Sequence, residues 1–161
     1  MRRTLLSGRS APVFGLMLVL LAFIADQLTK HIALALLTVG GAHPITIFFN
    51  LRLGFNTGVS FGMLADQFAG LPLVLAGIGF AMVILLAVLL LRASSRWEAS
   101  ALGAIIGGAL GNIFDRLRIG AVVDFLDFHL WGYHWPAFNL ADAAIVTGVA
   151  GLILASLRKS R

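Results

Sequence analysis

The chain has 161 residues, of which 60% are hydrophobic and 12% are charged, and its mean hydropathy is +0.98. These values lie outside the range of ordinary soluble domains and predict one integral membrane domain over residues 1–161. The net charge of +5 does not indicate nucleic acid as a partner. Most basic residues flank the apolar runs, which leaves no basic face to hold phosphates.

The residue types exclude several chemistries. The chain contains no cysteine, which excludes disulfides, thiolate nucleophiles and cysteine metal sites. The four histidines show neither an HExxH pattern nor ligand spacing with carboxylates, so we expect no metal and no cofactor. The apolar N-terminal run resembles a signal peptide. It is too long and is interrupted by Asp26 and Lys30, so we predict a retained helix.

Four segments have the apolar length of about 20 residues that crosses a bilayer. They cover about residues 12–37, 71–91, 98–114 and 137–157. Arginines precede the first segment, separate the second from the third and end the chain, so the positive-inside rule predicts cytoplasmic termini. The two long connections, about residues 38–70 and 115–136, are then expected to face outside.

The first outer connection has the period-two pattern of a β-strand. Its alternate apolar residues are Ile45, Ile47, Phe49, Leu51, Leu53 and Phe55. Open strands cannot lie in lipid with unpaired edges, so we predict a small antiparallel sheet at the outer interface, about residues 44–62. One face would be apolar and turn toward lipid. Asn56-Thr57-Gly58 is predicted to turn the chain, because Asn and Gly tolerate positive φ.

Two further patterns have structural interpretations. Glycines at intervals of four in the third span, namely Gly103, Gly107 and Gly111, predict close helix packing. The second outer connection contains the aromatic residues Trp131, Tyr133, Trp135 and Phe138, which are typical of an interfacial belt.

Polar residues within the spans all lie toward the predicted outer side. Asp26 is roughly 21 Å from the start of the first span, and it shares a helix face with Lys30. Asn112 and Arg116 share a face in the same way at the outer end of the third span. Because charge in the membrane is expensive, such residues predict a functional site. For Asp26 and Lys30, a purely structural ion pair explains the residues equally well.

Two carboxylates are surplus to this pairing. Asp142, with Asn139, enters the fourth span from outside, and Asp124 lies in the connection before it. We interpret Asp26 and Asp115 as the partners of the basic residues, which leaves Asp124 and Asp142 without a structural role. Two carboxylates held close share one proton. One can then act as general base on water while the other polarises a carbonyl, as in aspartic peptidases.

Five blocks carry these residues in order: Asp26-Gln27-Leu28-Thr29-Lys30, Asn56-Thr57-Gly58-Val59-Ser60-Phe61, residues 107–116, Val122-Val123-Asp124-Phe125 and Phe138-Asn139-Leu140-Ala141-Asp142. At these blocks the chain resembles the lipoprotein signal peptidase family, also called signal peptidase II. The resemblance implies four transmembrane helices with a small antiparallel β-sheet, the cradle, at the outer face of the bacterial inner membrane.

The resemblance also implies an activity. Such an enzyme is an aspartyl endopeptidase that removes the signal peptide of diacylglyceryl-modified prolipoproteins, cutting just before the lipidated cysteine. The implied catalytic pair is Asp124 and Asp142. Residues that match supporting or substrate-binding positions are Asp26, Lys30, Asn56, Gly58, Asn112, Arg116 and Asn139. The chain departs from the family pattern at Val59-Ser60, where small alanines are usual. Expected partners are the prolipoprotein and membrane lipid, with the protein as a monomer.

Two other functions use the same features. A proton-coupled carrier also places carboxylates within the membrane. Carriers tend to have internal repeats and midplane sites, whereas here the site lies at one edge of four spans. A non-catalytic scaffold would use the glycine-rich helix as its partner surface.

Overall fold

A computed structural model of the chain describes residues 4–58 and 71–159. Within these ranges the chain forms four helices and four strands. The helices are α1 (Thr4–Leu36), α2 (Pro72–Leu91), α3 (Arg96–Ile119) and α4 (Leu140–Lys159). The strands are β1 (His43–Thr46), β2 (Phe49–Asn56), β3 (Val122–Leu130) and β4 (Tyr133–His134). The predicted combination of helices with a small antiparallel sheet is therefore confirmed.

Three of the described helices are long and apolar enough to cross a membrane. They contain the stretches Ser10–Leu36, Pro72–Leu91 and Leu140–Leu157. The third predicted span, about residues 98–114, falls within α3, which does not meet these criteria. The reason lies in its sequence, because α3 has charged residues at both ends and several glycines between them.

Helix α3 lies at the centre of the bundle and packs against α1, α2 and α4. Its glycines allow this close approach. A Cβ atom at Gly107 would collide with the backbone oxygen of Val19 in α1, and one at Gly108 would collide with that of Ala141 in α4. The predicted close packing through these small residues is thus present.

The four strands form one antiparallel sheet in the order β1-β2-β3-β4. The continuous strand that the alternation predicts from Ile45 to Phe55 is wrong in detail, because a turn at residues 47–48 divides it into the hairpin β1–β2. A register shift between Leu51 and Gly54 then breaks the alternation, so Asn50 and Leu53 are buried while Phe55 is exposed. Strand β2 therefore does not give the sheet a uniformly apolar face. Residues 59–62 of the predicted β-region lie outside the described residues.

Strand β3 lies within residues 115–136, for which the sequence pattern predicts only an outer connection. It pairs with β2 in the register Gly54 with Asp124 and Asn56 with Val122. The β-branched and aromatic residues Val122, Val123 and Phe125 are typical of strands and were the available signal. This pairing sets Asp124 beside the end of β2.

Candidate active site

A buried lysine forms the centre of the polar cluster between α1 and α3. Lys30 Nζ lies 2.9 Å from Asp26 Oδ2, one turn earlier on α1, as the spacing predicts. It also lies 2.9 Å from Asp115 Oδ2 and donates to Asn112 Oδ1 at 2.9 Å. An ammonium has three N–H donors, so all three of them are used.

The two carboxylates bound to Lys30 hold neighbouring elements in place. Asp26 Oδ1 accepts a hydrogen bond from Ala141 N in the first turn of α4 at 2.9 Å. Asp115 Oδ2 accepts one from Val123 N of β3 at 3.1 Å. Gln27 Nε2 lies between the two carboxylates, 3.1 Å from Asp26 Oδ2 and 3.2 Å from Asp115 Oδ1. This cluster therefore fixes α4 and β3, which carry Asp142 and Asp124, relative to α1 and α3.

Helix α4 begins with a reciprocal capping pair. Asp142 N donates to Asn139 Oδ1 at 3.0 Å, and Asn139 N donates to Asp142 Oδ2 at 3.4 Å. The first helical bond runs from Ala143 N to the Asn139 carbonyl oxygen. This Asn-x-x-Asp arrangement corresponds to a capping box at the start of α4.

Two side-chain amides connect the two surplus carboxylates. Asn139 Nδ2 donates to Asp124 Oδ1 at 2.7 Å, and Asn112 Nδ2 donates to Asp142 Oδ1 at 2.9 Å. The amides also meet each other, since Asn139 Nδ2 lies 3.2 Å from Asn112 Oδ1. The bond from Lys30 to Asn112 Oδ1 orients the Asn112 amide so that its Nδ2 faces Asp142. Asp124 and Asp142 are only 4% and 8% exposed.

The electrostatic environment distinguishes Asp124. Burial, followed by the nearby charge of Asp142, raises the pKa of Asp124 to about 7, although hydrogen bonds from Asn139 and Asn56 lower it in part. Asp124 therefore holds a proton for much of the time at neutral pH. A carboxyl group whose pKa lies near the working pH is suited to general acid–base chemistry.

The expectation that a carboxylate pairs with Arg116 is wrong for the described residues. Asp115 pairs with Lys30 instead, because consecutive residues of a helix point in directions about 100° apart. Arg116 Nη2 donates to the Gly58 carbonyl oxygen at 2.8 Å, and its buried Nε has no hydrogen-bond partner among the residues that the structure describes. The carboxylates of Asp142 and Asp124 attract the Arg116 guanidinium electrostatically across the site.

Asn56 and Gly58 reach the site from the end of β2. Asn56 Oδ1 accepts a hydrogen bond from Gly58 N at 3.0 Å, so the chain turns here through the side chain. The positive φ predicted for Asn56 is wrong, since Asn56 ends β2 in an extended conformation. Asn56 also hydrogen-bonds the Asp124 carboxyl group. The structure thus brings together every predicted site residue: Asp26, Lys30, Asn56, Gly58, Asn112, Arg116, Asp124, Asn139 and Asp142.

Asp127 lies apart from this cluster. Both of its carboxylate oxygens contact His134 Nδ1, at 2.8 and 3.0 Å, and Asn50 Nδ2 donates to Oδ2 at 3.2 Å. Burial alone would raise the pKa of Asp127, but the hydrogen bonds from His134 and Asn50 outweigh it and lower the pKa below its ordinary value. Asp127 therefore joins β2, β3 and β4. Among the described residues, no group of three or more His, Asp or Glu side chains is arranged to hold a metal.

Sequence reasoning missed the contribution of Gln27 and the direct bond from Asp115 to Lys30. Asp115 is three residues after Asn112, a spacing that places both on one side of α3. That spacing was the sequence feature from which the bond between Asp115 and Lys30 could have been predicted.

Comparisons with known proteins give matches in sequence and in fold. A family model described as signal peptidase (SPase) II matches residues 18–158. The lipoprotein signal peptidase of Burkholderia mallei (strain SAVP1) is 43% identical over 155 residues, which cover 96% of this chain and 92% of that protein. The chain belongs to the signal peptidase II family. The resemblance inferred from the five sequence blocks is confirmed.

Further relatives extend the signal peptidase II match. The lipoprotein signal peptidase of Paraburkholderia phytofirmans (strain DSM 17436 / LMG 22146 / PsJN) is 43% identical over 156 residues, 96% of this chain and 90% of that protein. A bacterial membrane enzyme solved by the in meso method at 2.3 Å superposes with a TM-score of 0.80 at 28% identity, covering 91% of this chain and 88% of that one. A second bacterial membrane enzyme, solved by the in meso method at 1.9 Å, superposes with a TM-score of 0.76 at 29% identity. The match covers 89% of this chain and 92% of that one. Family membership and the apolar helices identify a bacterial membrane protein of a peptidase family.

Proposed function

We propose that this chain is a membrane-embedded aspartyl endopeptidase that removes the signal peptide from prolipoproteins. It would cut just before a cysteine that carries diacylglycerol. The observation that carries the proposal is the pair of buried carboxylates, Asp124 and Asp142, joined through the amides of Asn112 and Asn139. The lipoprotein signal peptidases to which the chain is similar support the choice of substrate.

The two carboxylates divide the acid–base work. Asp142, at the start of α4, accepts hydrogen bonds from Asn112 Nδ2 and Asn139 N, and it takes a proton from the attacking water. The hydroxide oxygen bonds to the scissile carbonyl carbon, and the carbonyl oxygen becomes an oxyanion. Protonated Asp124 donates a hydrogen bond to that oxyanion. When the C–N bond breaks, the proton held by Asp142 passes to the leaving amine.

Substrate is held by groups around the pair. The bond from Arg116 to the Gly58 carbonyl keeps the end of β2 against α3, and the buried Arg116 Nε is a donor with which a substrate carbonyl can bond. Asn56 borders Asp124 on the same side. Asp26 and Lys30 act as a supporting pair, because their bonds fix α4 and Asn112 rather than substrate.

The proposed topology has four transmembrane helices in one domain, cytoplasmic termini and the site near the outer face of the inner membrane. Three helices have the length and composition to span the bilayer. The 24 residues of α3 would reach about 36 Å, and α1, α2 and α4 cover much of its less apolar surface. The proposed active protein is a monomer that binds prolipoprotein and membrane lipid.

The decisive assay compares two forms of one prolipoprotein. Purified protein is incubated with the diacylglyceryl-modified form and with the unmodified form, and the products are analysed by mass spectrometry. We expect cleavage of the lipidated form only, directly before the modified cysteine. Cleavage of neither form, or proton-linked solute uptake by vesicles containing the protein, would instead favour the carrier.

A further inference from the structure

The sheet ends in two neighbouring turns whose large side chains are exposed. We call Ile47, Phe48, Trp131 and Tyr133 the hairpin tips. Pairing of β2 with β3 brings the two turns together, and His129 N donates to the Phe48 carbonyl oxygen at 2.9 Å. Ile47 is 93% exposed, Trp131 90% and Tyr133 83%. Such exposure of large apolar side chains in one patch indicates a contact surface.

The backbone at Trp131 gives a second, independent observation. Trp131 has a φ of 50°, and it is the one non-glycine residue with positive φ among those that the structure describes. With Gly132 at φ 83°, the turn requires left-handed residues at both central positions, where Asn and Gly are favoured. The left-handed conformation is unfavourable for a residue with a Cβ atom. A tryptophan that is both strained and exposed is suited to a contact outside the described chain.

The direction of β3 shows what these tips approach. Three successive parts of the strand touch the ends of three helices. Val123 is bonded to α3, Phe125 lines a cavity of about 150 Å³ together with Leu36 of α1, and Leu126 pairs with Phe138 just before α4. A strand that crosses helix ends in this way runs in the plane of the bilayer. Because Leu36 ends an apolar stretch of membrane-spanning length, β3 lies at the edge of the hydrocarbon.

We propose that the hairpin tips insert into the lipid interface beside the helix bundle and hold the sheet flat on the bilayer. Residues 44–49 and 130–133 contain no charged side chain. Ile and Phe suit the acyl region, while Trp and Tyr favour the headgroup boundary. The anchor would keep Asp124, which β3 carries, at the height where lipid meets water. This inference depends on membrane insertion of the apolar helices and not on peptidase activity.

Site-directed spin labelling tests the insertion directly, because the chain has no native cysteine. Ile47→Cys and Tyr133→Cys would each carry a nitroxide label in protein held in lipid nanodiscs. Leu21→Cys, exposed within the apolar stretch of α1, is the lipid reference, and Ser94→Cys, in the turn between α2 and α3, is the water reference. The readout is label accessibility to oxygen compared with accessibility to an aqueous nickel chelate.

The expected oxygen-to-nickel ratio at both tips lies between the two references and exceeds the Ser94 ratio severalfold. A ratio equal to that of Ser94 would overturn the proposal, because the tips would then stand in water. Immobilised labels protected from both reagents would also overturn it, since they would indicate a protein partner or a second copy of the chain.

A variant of the strained residue separates lipid contact from folding. Trp131→Asn keeps the turn in a conformation that Asn tolerates well and removes the indole. We expect unchanged or higher thermal stability in detergent, and at least a twofold fall in the oxygen-to-nickel ratio of the Tyr133→Cys label in nanodiscs. A clear loss of stability with an unchanged ratio would show that Trp131 serves the fold, and it would contradict the lipid anchor.

Discussion

Lys30 shows how one residue supports a buried charged site. Its ammonium is enclosed, and its three donors meet Asp26, Asp115 and Asn112 at 2.9 Å each. Each acceptor in turn holds another part of the site: Asp26 binds the start of α4, Asp115 binds β3, and Asn112 binds Asp142. Removing a single partner from such a buried pair leaves uncompensated charge.

Lys30→Met should therefore strongly destabilise the protein. It leaves two carboxylates without their cation, and we expect a loss of about 3–5 kcal/mol in the free energy of unfolding. Arg118→Met is the matched control, because Arg118 is an exposed cation at the end of α3 and its loss should change stability by less than about 0.5 kcal/mol. Denaturation of both variants in the same detergent measures the difference. Equal stabilities would refute the central role of Lys30.

Asp124 should make stability depend on pH. Burial raises its pKa in the folded protein to about 7 from an ordinary value of 3.8. The folded state thus binds more protons between these values, and the associated stability is present below pH 3.8 and lost as pH rises through 7. Asp124→Asn removes this loss. The free energy of unfolding of the variant should therefore rise relative to that of the wild type by at most about 4 kcal/mol between pH 4 and 8.

Asp127→Asn provides a control of opposite sign. The pKa of Asp127 is lowered in the folded protein, so its carboxylate stabilises above pH 3.8 and this stabilisation is lost as pH falls. Asp127→Asn should therefore be less stable than the wild type at pH 7. Unfolding measured at several pH values distinguishes the two variants. An advantage of Asp124→Asn that does not change with pH would contradict the assigned environment.

At the scale of elements, the helices were predictable because their signal is local. Long apolar runs set α1, α2 and α4, and the spacings of Asp26 with Lys30 and of Asn139 with Asp142 already place each pair on one face. Strand β3 was missed because its partner β2 is about 70 residues earlier. Its aspartates resembled loop residues, and only the pairing shows that β3 is part of the sheet.

The pairing of charges across helices could not be predicted for a similar reason. Whether Lys30 or Arg116 receives Asp115 depends on the rotation of α3 against α1, which is set by the glycine contacts. Sequence spacing shows which residues share a face of one helix. It does not show how one helix is rotated against another. The residues that meet in the polar cluster could nevertheless be listed from the sequence, because the five blocks contain them.

Asn139 should have two separable roles at the start of α4. Asn139→Ala loses the cap and the bond to Asp124, so we expect about 1 kcal/mol of destabilisation from the cap and a severe loss of cleavage. Ser95→Ala is the matched control, since Ser95 caps α3 through Glu98 N far from the dyad. It should cost a similar amount of stability while cleavage is retained. Equal activities of the two variants would remove Asn139 from the site.

At the scale of the whole molecule, the site residues, the sheet and the start of α4 all lie at one end of the bundle. The turn between α2 and α3 lies at the other end, near Arg92 and Arg96. From the positive charge at that end, we propose that it lies on the cytoplasmic side. The site would then face outward.

Thiol labelling of single-cysteine variants tests this orientation. Ala42→Cys precedes β1 at the site end, and Ser94→Cys lies in the α2–α3 turn; both positions are exposed. A membrane-impermeant reagent added to intact spheroplasts should label Ala42→Cys, and should label Ser94→Cys only after permeabilisation. The reverse pattern would place the site on the cytoplasmic side.

The central claim is that Asp124 and Asp142 together hydrolyse the peptide bond. Its most direct test is the single-turnover rate of Asp124→Asn and Asp142→Asn on lipidated prolipoprotein, with Asp127→Asn as the carboxylate control outside the site. Both dyad variants should remain folded and lose on the order of 10²–10⁴-fold in rate, while the control keeps its activity. Either dyad variant cleaving within tenfold of the wild-type rate would contradict the account.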